Sequence, residues 1–187
     1  MKTKIYKEFI RTGKMLFKQG VISLTAGNMS RKIKKDMYIT ASGSMLGDLK
    51  KSDIVHSRTG RDRPKKASVE YKVHQEIYNN TGYRAIIHTH PPNTLVVAEK
   101  VEIVKPIDAE GKLYIPEVPV VEVDKSIGSK EVAGVIPGIL KNVKAVIIKD
   151  HGVFSVSDTI AGAAGIVSTL EFSSKILFKK KIFTAGI

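Results

Sequence analysis

The sequence predicts a layered α/β fold, in which helices cover a sheet of short strands. Segments with apolar residues at helical spacing alternate along the chain with short β-prone runs. These runs are close enough in the sequence for neighbouring strands to pair antiparallel, so a purely parallel sheet is not implied. At 187 residues the chain is long enough for one substantial core and short for two, which predicts a single domain over residues 1–187.

The elements follow from apolar periodicity and from turn residues. In the first helix, for example, Ile5, Phe9 and Leu16 share one face, and Gly20 lies where a helix would end. The expected elements are a helix over 3–19, two strands joined by a turn within 21–47, an exposed connection at 58–66, a helix from 68 to 79–82, a strand over 85–90, a short helix over 94–100, strands over 101–106 and 114–123 separated by a turn at 108–111, a helix over 129–141, strands over 145–149 and 153–156, and a helix over 158–180.

The composition limits the possible chemistry. No apolar run approaches the ~20 residues needed to cross a bilayer, and the positively charged N-terminus lacks a following apolar segment, so a soluble cytoplasmic protein is expected. The chain contains no Cys, which excludes disulfides, thiolate nucleophiles and Cys-ligated zinc. Any metal site must therefore be built from carboxylates and from the five His.

The formal net charge of +13 is compatible with three interpretations. A basic surface attracts nucleic acid, but the short basic clusters at 31–35 and 179–181 lack interleaved aromatic residues that could stack on bases. A solvated Lys-rich surface is the favoured alternative. The third interpretation is attraction of small anionic substrates.

Three histidines are candidates for binding one metal ion. Because side chains alternate along a strand, His88 and His90 project to the same side of a β-prone run. His151 follows the apolar run 145–148 and precedes Gly152. Three imidazoles with an open fourth position are how catalytic zinc is held, although a purely structural role for the histidine pair stays open from spacing alone.

Glu70 is a candidate proton-transfer group at the start of the second helix. Ser68 is a plausible N-cap there, and a Glu in a first turn could also serve only the helix dipole. His74 lies one turn further on the same helix face, where packing or a supporting role is favoured over direct chemistry. No role is assigned to His56.

Two loops of small residues, at 25–28 and 42–44, place hydroxyls, an amide and glycine N–H groups close together. Such loops can bind a phosphate, and Ser68 at a helix start could add a contact, but most such strings are only turns.

These strings also occur together in a recognisable order. They are AGNxS at 26–30, TxSG at 40–43, SxE at 68–70, HTHP at 88–91, IPxxPV at 115–120 and HG at 151–152, with Glu171 following twenty residues after His151. In this order they resemble the class II aldolase/adducin-like family, specifically its L-fuculose-1-phosphate aldolase branch. The match runs through most of the chain.

The resemblance implies a three-layer α/β/α fold around a mixed, largely antiparallel sheet, and a homotetramer with active sites at subunit interfaces. It implies Zn²⁺ on His88, His90 and His151, with Co²⁺, Mn²⁺ or Fe²⁺ as possible occupants. It also implies cleavage of a ketose 1-phosphate such as L-fuculose 1-phosphate to dihydroxyacetone phosphate and lactaldehyde, with Glu70 transferring the proton. The implied phosphate contacts are Thr25, Asn28, Ser42, Gly43 and Ser68.

The sequence departs from the family pattern in two places. Val69 stands where the family often has a second Ser, which predicts a weaker phosphate site. The Tyr that donates a proton on the aldehyde side has no secure counterpart; Asp108, Glu110 and Tyr114 are the candidates, and all three could equally be ordinary surface or strand residues.

Other activities fit the same motifs. A pentulose-phosphate 4-epimerase or a sugar-phosphate dehydratase would use the same metal scaffold, and a non-catalytic adducin-like binding module is the alternative from another class. The presence of the three histidines together with Glu70 argues against the binding module. We expect neither nucleic acid nor a membrane as a partner.

Overall fold

The computed structural model describes residues 2–185 and shows eight strands in one mixed sheet between two layers of helices. The helices are α1 (Lys2–Lys18), α2 (Tyr71–Asn80), α3 (Pro92–Ala98), α4 (Ala109–Tyr114), α5 (Lys130–Ile139) and α6 (Ile160–Ala185). The strands are β1 (Asn28–Ile33), β2 (Asp36–Thr40), β3 (Ile54–Arg58), β4 (Ala85–Thr89), β5 (Ile103–Val104), β6 (Val118–Val121), β7 (Ala145–Ile148) and β8 (Gly152–Ser157).

The sheet has the strand order β3-β2-β1-β4-β8-β7-β6-β5. Every neighbouring pair is antiparallel except β6 and β7, which run parallel. Parallel strands need a crossover connection, and α5 supplies it between these two strands. The mixed, largely antiparallel sheet is therefore confirmed.

The two faces of the sheet bury separate apolar clusters, because side chains alternate along each strand. In β4, Ile87 packs toward α1 and α6, whereas Ile86 packs toward α2 and α5. A further cluster joins α3 and the middle of α6 to β5–β8. The result is the predicted three-layer α/β/α arrangement, with β4 and β8 buried at its centre.

Two edge regions differ from the sequence analysis. Residues 54–57 were assigned to no element, and together with Arg58 they form β3, which pairs with the whole of β2. Residues 108–111 were expected to form a turn before a strand at 114–123. Instead, the Asp108 carboxylate accepts a hydrogen bond from the Gly111 N–H at 2.8 Å and starts α4, so that β6 begins only at Val118.

The closing helix α6 contradicts the expectation that no segment has the length and composition of a membrane span. Within residues 2–185 it is the single helix long and apolar enough to cross a bilayer. Half of its most apolar window is buried inside the protein, and its buried residues, such as Val167 and Leu170, pack on the sheet. A core helix meets the same criterion, so α6 is weak evidence for a membrane.

Candidate active site

Three imidazoles converge at the ends of the central strands. β4 carries His88, the chain leaves this strand through His90, and His151 lies in the tight turn between β7 and β8. The Nε2 atom of His88 lies 3.0 Å from that of His90 and 3.3 Å from that of His151. One ligand nitrogen from each ring lies within 4.8 Å of the other two, close enough to share one ion.

Contacts around His88 fix the orientation of its ring. Its Nδ1 lies 3.1 Å from the carbonyl oxygen of Val153. Because a carbonyl can only accept, Nδ1 carries the proton and Nε2 presents a lone pair to the centre of the cluster. The ring also stacks on Phe154, with 4.2 Å between ring centroids. This donor set fits a divalent cation such as Zn²⁺, because a tautomer fixed in this way is typical of a metal-binding histidine.

Burial keeps the three rings neutral in the protein without metal. It lowers the pKa of His88 well below the ordinary value, and the neighbouring imidazoles add to this effect. Burial also lowers the pKa of His90 and brings that of His151 to about 4. Neutral imidazole is the form that binds a metal, so the cluster needs little proton release at neutral pH.

Gly152 provides the space in which the rings meet. A Cβ atom there would lie 2.5 Å from the Thr89 carbonyl oxygen, 2.6 Å from Cδ2 of His90 and 2.8 Å from Cε1 of His88. The preceding turn places Asp150 at φ 58°, a left-handed conformation, and brings His151 back toward the cluster. The HG pair therefore combines a ligand with the only residue type that fits beside it.

Glu70 occupies the N-cap position of α2 and is almost fully buried, with 2% of its surface exposed. Its Oε1 accepts a hydrogen bond from the Gly128 N–H at 2.9 Å, whereas its buried Oε2 has no partner among the described residues. Burial raises the pKa of this carboxyl to about 7, and the bond from Gly128 partly opposes the rise. At neutral pH the group can both give and take a proton.

Sequence reasoning missed the segment 126–128, which connects the two parts of the site. Gly128 donates to Glu70, and the backbone of Ser126 lies against the His151 ring. Gly128 adopts φ 56°, and a Cβ there would approach the Val69 carbonyl oxygen to 3.0 Å. The available signal was the position of Gly128 just before Ser129, which caps α5. The contact with Glu70 is made by the backbone N–H of Gly128, so no side-chain motif in the sequence indicates it.

The loops predicted to bind phosphate adjoin one another. Ala41 forms a β-bridge with Ala67, and the Ser68 N–H donates to the Thr40 carbonyl oxygen at 3.1 Å. The Met29 N–H donates to the Thr40 hydroxyl at 3.2 Å, which connects the first loop to the second. The structure thus places the loops of Thr25 and Asn28, of Ser42 and Gly43, and of Ser68 side by side.

Within this group, individual side chains differ in exposure. Thr25, Ser42 and Gly43 are exposed, whereas Asn28 and Ser68 are buried. The Asn28 Oδ1 has no hydrogen-bond partner among the described residues, and Asn28 pairs with His88 across β1 and β4. Gly43 has φ 73°, which opens the turn at the exposed edge.

His74 belongs to a buried polar cluster beneath the site. Its Nδ1 lies 2.6 Å from the Ser30 hydroxyl, which also lies 2.7 Å from the Tyr78 hydroxyl. Burial lowers the pKa of His74 to about 3, and its ring packs against Phe154. The structure shows this side chain bonded to Ser30 and not to the Glu70 carboxylate.

The candidate proton donors Asp108 and Tyr114 lie at the two ends of α4. Asp108 is the N-cap of this helix, and Tyr114 is 50% exposed. Within residues 2–185 no hydrogen bond joins either side chain, or that of Glu110, to the three histidines or to Glu70. Their role on the aldehyde side stays a prediction.

Comparison with known proteins identifies the family and the fold. The family model described as Class II Aldolase and Adducin N-terminal domain matches residues 7–178. The crystal structure of L-fuculose-1-phosphate aldolase from Thermus thermophilus superposes with a TM-score of 0.95 at 33% identity, covering 98% of this chain and 97% of that one.

Two curated relatives carry different activities in their names. An L-fuculose phosphate aldolase from Methanococcus vannielii is 29% identical over 175 residues, which cover 91% of this chain and 93% of the relative. A methylthioribulose-1-phosphate dehydratase from Sulfurihydrogenibium sp. is 28% identical, with 90% of this chain and 86% of the relative covered.

Proposed function

Because the chain belongs to the class II aldolase and adducin N-terminal domain family, we propose that it is a metal-dependent aldolase acting on a ketose 1-phosphate. Its substrate would be L-fuculose 1-phosphate or a close analogue, cleaved to dihydroxyacetone phosphate and a short aldehyde such as lactaldehyde, with the reverse condensation also catalysed. The observation that supports this most is the convergence of three neutral imidazoles beside a segment that also binds the buried Glu70 carboxyl.

In this proposal His88, His90 and His151 hold one divalent cation, with Zn²⁺ favoured and Co²⁺, Mn²⁺ or Fe²⁺ possible. When bound, the cation supplies Lewis-acid stabilisation of negative charge on the substrate oxygens. The protein's contribution is to aim the three Nε2 lone pairs, and the Val153 carbonyl does so for His88.

Glu70 transfers the proton at the carbon next to the substrate carbonyl. In cleavage, the bond between this carbon and the aldehyde-forming carbon breaks, its electron pair stays on the dihydroxyacetone phosphate fragment, and Glu70 donates the proton that completes the fragment. The hydroxyl of the aldehyde-forming carbon loses its proton to a second group, for which Asp108 and Tyr114 are the candidates. In condensation, Glu70 removes the proton. A carboxyl with a pKa near 7 suits both directions.

The adjoining loops would hold the phosphate. Ser42 and Gly43 offer a hydroxyl and N–H groups at an exposed edge, and Ser68 lies just before the N-terminus of α2. Thr25 and Asn28 complete the proposed set. A phosphate bound here would lie close to the backbone of Glu70, because the Glu70 N–H donates to the Ser68 hydroxyl at 3.2 Å.

A dehydratase is the second candidate, favoured by the methylthioribulose-1-phosphate dehydratase among the relatives. It would use the same cation and the same proton-transfer group, but would eliminate water without breaking a carbon–carbon bond. A pentulose-phosphate 4-epimerase would likewise release no carbon fragment, and an adducin-like binding module would release no product.

Product analysis separates these candidates. The purified zinc-loaded protein is incubated with L-fuculose 1-phosphate and, separately, with methylthioribulose 1-phosphate, and the products are followed by NMR. We expect equimolar dihydroxyacetone phosphate and lactaldehyde from the first substrate. After treatment of the protein with EDTA, neither product should form. Dehydration of the second substrate without cleavage of the first would contradict the aldolase assignment.

We further propose that the protein acts in the cytoplasm as a homotetramer. Large apolar side chains are exposed near the end of α6, including Phe183 at 70% and Ile182 at 57%, and Phe178 of the same helix lines a surface cavity together with Val101. Patches of this kind mark protein–protein contacts.

A further inference from the structure

The Glu171 carboxylate on α6 binds the first turn of α3 through four hydrogen bonds. Its Oε1 accepts from the Asn93 backbone N–H at 3.1 Å and from the Asn93 side-chain amide at 2.6 Å. Its Oε2 accepts from the Thr94 N–H at 2.9 Å and from the Thr94 hydroxyl at 3.0 Å. Each carboxylate oxygen thus accepts two hydrogen bonds from one residue, and the two residues are consecutive in the chain.

Helix α3 lacks a cap of its own. Its N-cap residue is Pro91, whose side chain cannot accept a hydrogen bond, and its first turn contains no acidic residue. Free N–H groups at a helix start need acceptors and favour negative charge. Glu171 provides both from a different element, 77 residues away from Thr94 along the chain.

This helix start lies two residues after His90. Pro91 and Pro92 connect them, and each proline ring fixes its own φ angle. Because this connection has few free backbone dihedrals, a movement of the α3 terminus also moves His90. On its other side, the His90 N–H donates to the Val21 carbonyl oxygen at 3.1 Å.

The His90 ring depends on this backbone placement more than the His88 ring does. His88 is oriented by its own hydrogen bond to the Val153 carbonyl. The His90 ring makes no such bond to a carbonyl within residues 2–185, and its ring-nitrogen contact is with His88 itself. Its position therefore follows from where the chain leaves β4.

We infer that Glu171 is a positioning residue for the metal site: by capping α3 it holds His90 at the distance from His88 and His151 that lets the three share an ion. The inference rests on the metal site of the proposed function. It does not depend on which sugar phosphate is cleaved, because the metal is bound before any substrate.

The test measures zinc affinity by competition with a chromophoric chelator, together with the visible spectrum of the Co²⁺-substituted protein. We expect Glu171→Ala to weaken zinc binding by about tenfold to a hundredfold, the range for groups that orient metal ligands, and to change the Co²⁺ bands. Glu171→Gln keeps one acceptor oxygen, so its affinity should lie between those of the wild type and Glu171→Ala.

Leu95→Ala is the matched control. Leu95 packs α3 on the same apolar cluster as Leu170, and the hydrogen bonds of the Glu171 carboxylate go to Asn93 and Thr94 instead. At a comparable loss of thermal stability it should retain wild-type zinc affinity. Wild-type affinity and Co²⁺ bands in Glu171→Ala would overturn the inference, and so would an equal loss in Leu95→Ala. If Glu171→Ala does not fold, unchanged affinity in Glu171→Gln would overturn it. If the wild-type protein binds zinc but does not cleave the substrate, the proposed substrate is contradicted. The role of Glu171 is then still tested by the zinc affinities of the variants.

Discussion

At the scale of single residues, Glu70 combines burial with an unpartnered oxygen. Its Oε2 is buried and has no hydrogen-bond partner among the described residues. Replacing the carboxyl by an amide preserves the shape and the acceptor for Gly128 but removes the transferable proton.

We expect Glu70→Gln to lower the cleavage rate by about 10²- to 10⁴-fold while the bound zinc is retained, because general acid–base groups contribute on this scale. The comparison is Glu76→Gln on the exposed side of the same helix, which should keep wild-type activity. Initial rates and metal content measured on both variants check this. A loss below about tenfold in Glu70→Gln would remove Glu70 from the proton-transfer role.

The same carboxyl makes the stability of the metal-free protein depend on pH. Its pKa rises from 4.5 in the unfolded chain to about 7 in the folded one, so the folded state keeps a proton that the unfolded state has lost. The stabilisation that this bound proton gives the folded state is fully present below pH 4.5 and is lost as the pH rises through about 7. The two pKa values differ by an amount that corresponds to about 3 kcal/mol.

Urea unfolding of EDTA-treated protein at pH 5 and pH 8 measures this effect. Glu70→Gln should gain stability relative to the wild type by up to about 3 kcal/mol on going from the lower to the higher pH. The buried histidines titrate in both proteins, so the difference between them isolates Glu70. Parallel pH dependence of the two proteins would show that this carboxyl is not perturbed.

At the scale of elements, the site depends on how closely the end of β4 meets the start of β8. Gly152 has no room for a methyl group against the Thr89 carbonyl and the His90 ring. We expect Gly152→Ala to destabilise the protein by about 1–3 kcal/mol, as overpacking does, and to weaken zinc binding at least tenfold.

Gly134→Ala is the corresponding control, since a Cβ on that α5 glycine meets nothing within 4 Å. It should bind zinc as the wild type does and be slightly more stable, because alanine favours a helix. Thermal unfolding and chelator competition measure both quantities. Unimpaired zinc binding in Gly152→Ala would show that the rings do not need the space that Gly152 leaves.

Elements with a strong local signal could be predicted from the sequence, and those set by tertiary contacts could not. Apolar periodicity identified α1 and α2, and the β-prone run at 85–89 identified β4. β3 was missed because only two of its residues are apolar and its formation depends on pairing with β2. α4 was missed because a single side-chain cap at Asp108 starts a six-residue helix.

The same distinction applies to the site. Side-chain motifs pointed to His88, His90, His151 and Glu70, since imidazole and carboxylate chemistry is visible in the sequence. The contribution of Gly128 was not predictable, because a backbone N–H supplies it and only the fold brings that loop to α2.

At the scale of the whole molecule, the exposed apolar side chains around the end of α6 have a measurable consequence. If they form contacts between subunits, light scattering should give a mass about four times that of the 20.5 kDa chain. Phe183→Ser, which removes the most exposed of these aromatic side chains, should shift the protein toward smaller assemblies, whereas Val135→Ser on α5 should not. A wild-type protein that runs as a monomer would contradict the tetramer.

The central claim is that three imidazoles from distant parts of the chain bind one cation. The most direct test is anomalous diffraction at the zinc edge from crystals of the zinc-loaded protein. One peak per chain is expected, about 2.0–2.1 Å from the Nε2 atoms of His88, His90 and His151, with a fourth position open to substrate. A protein that takes up no zinc, or a peak whose ligands exclude this triad, would contradict the account.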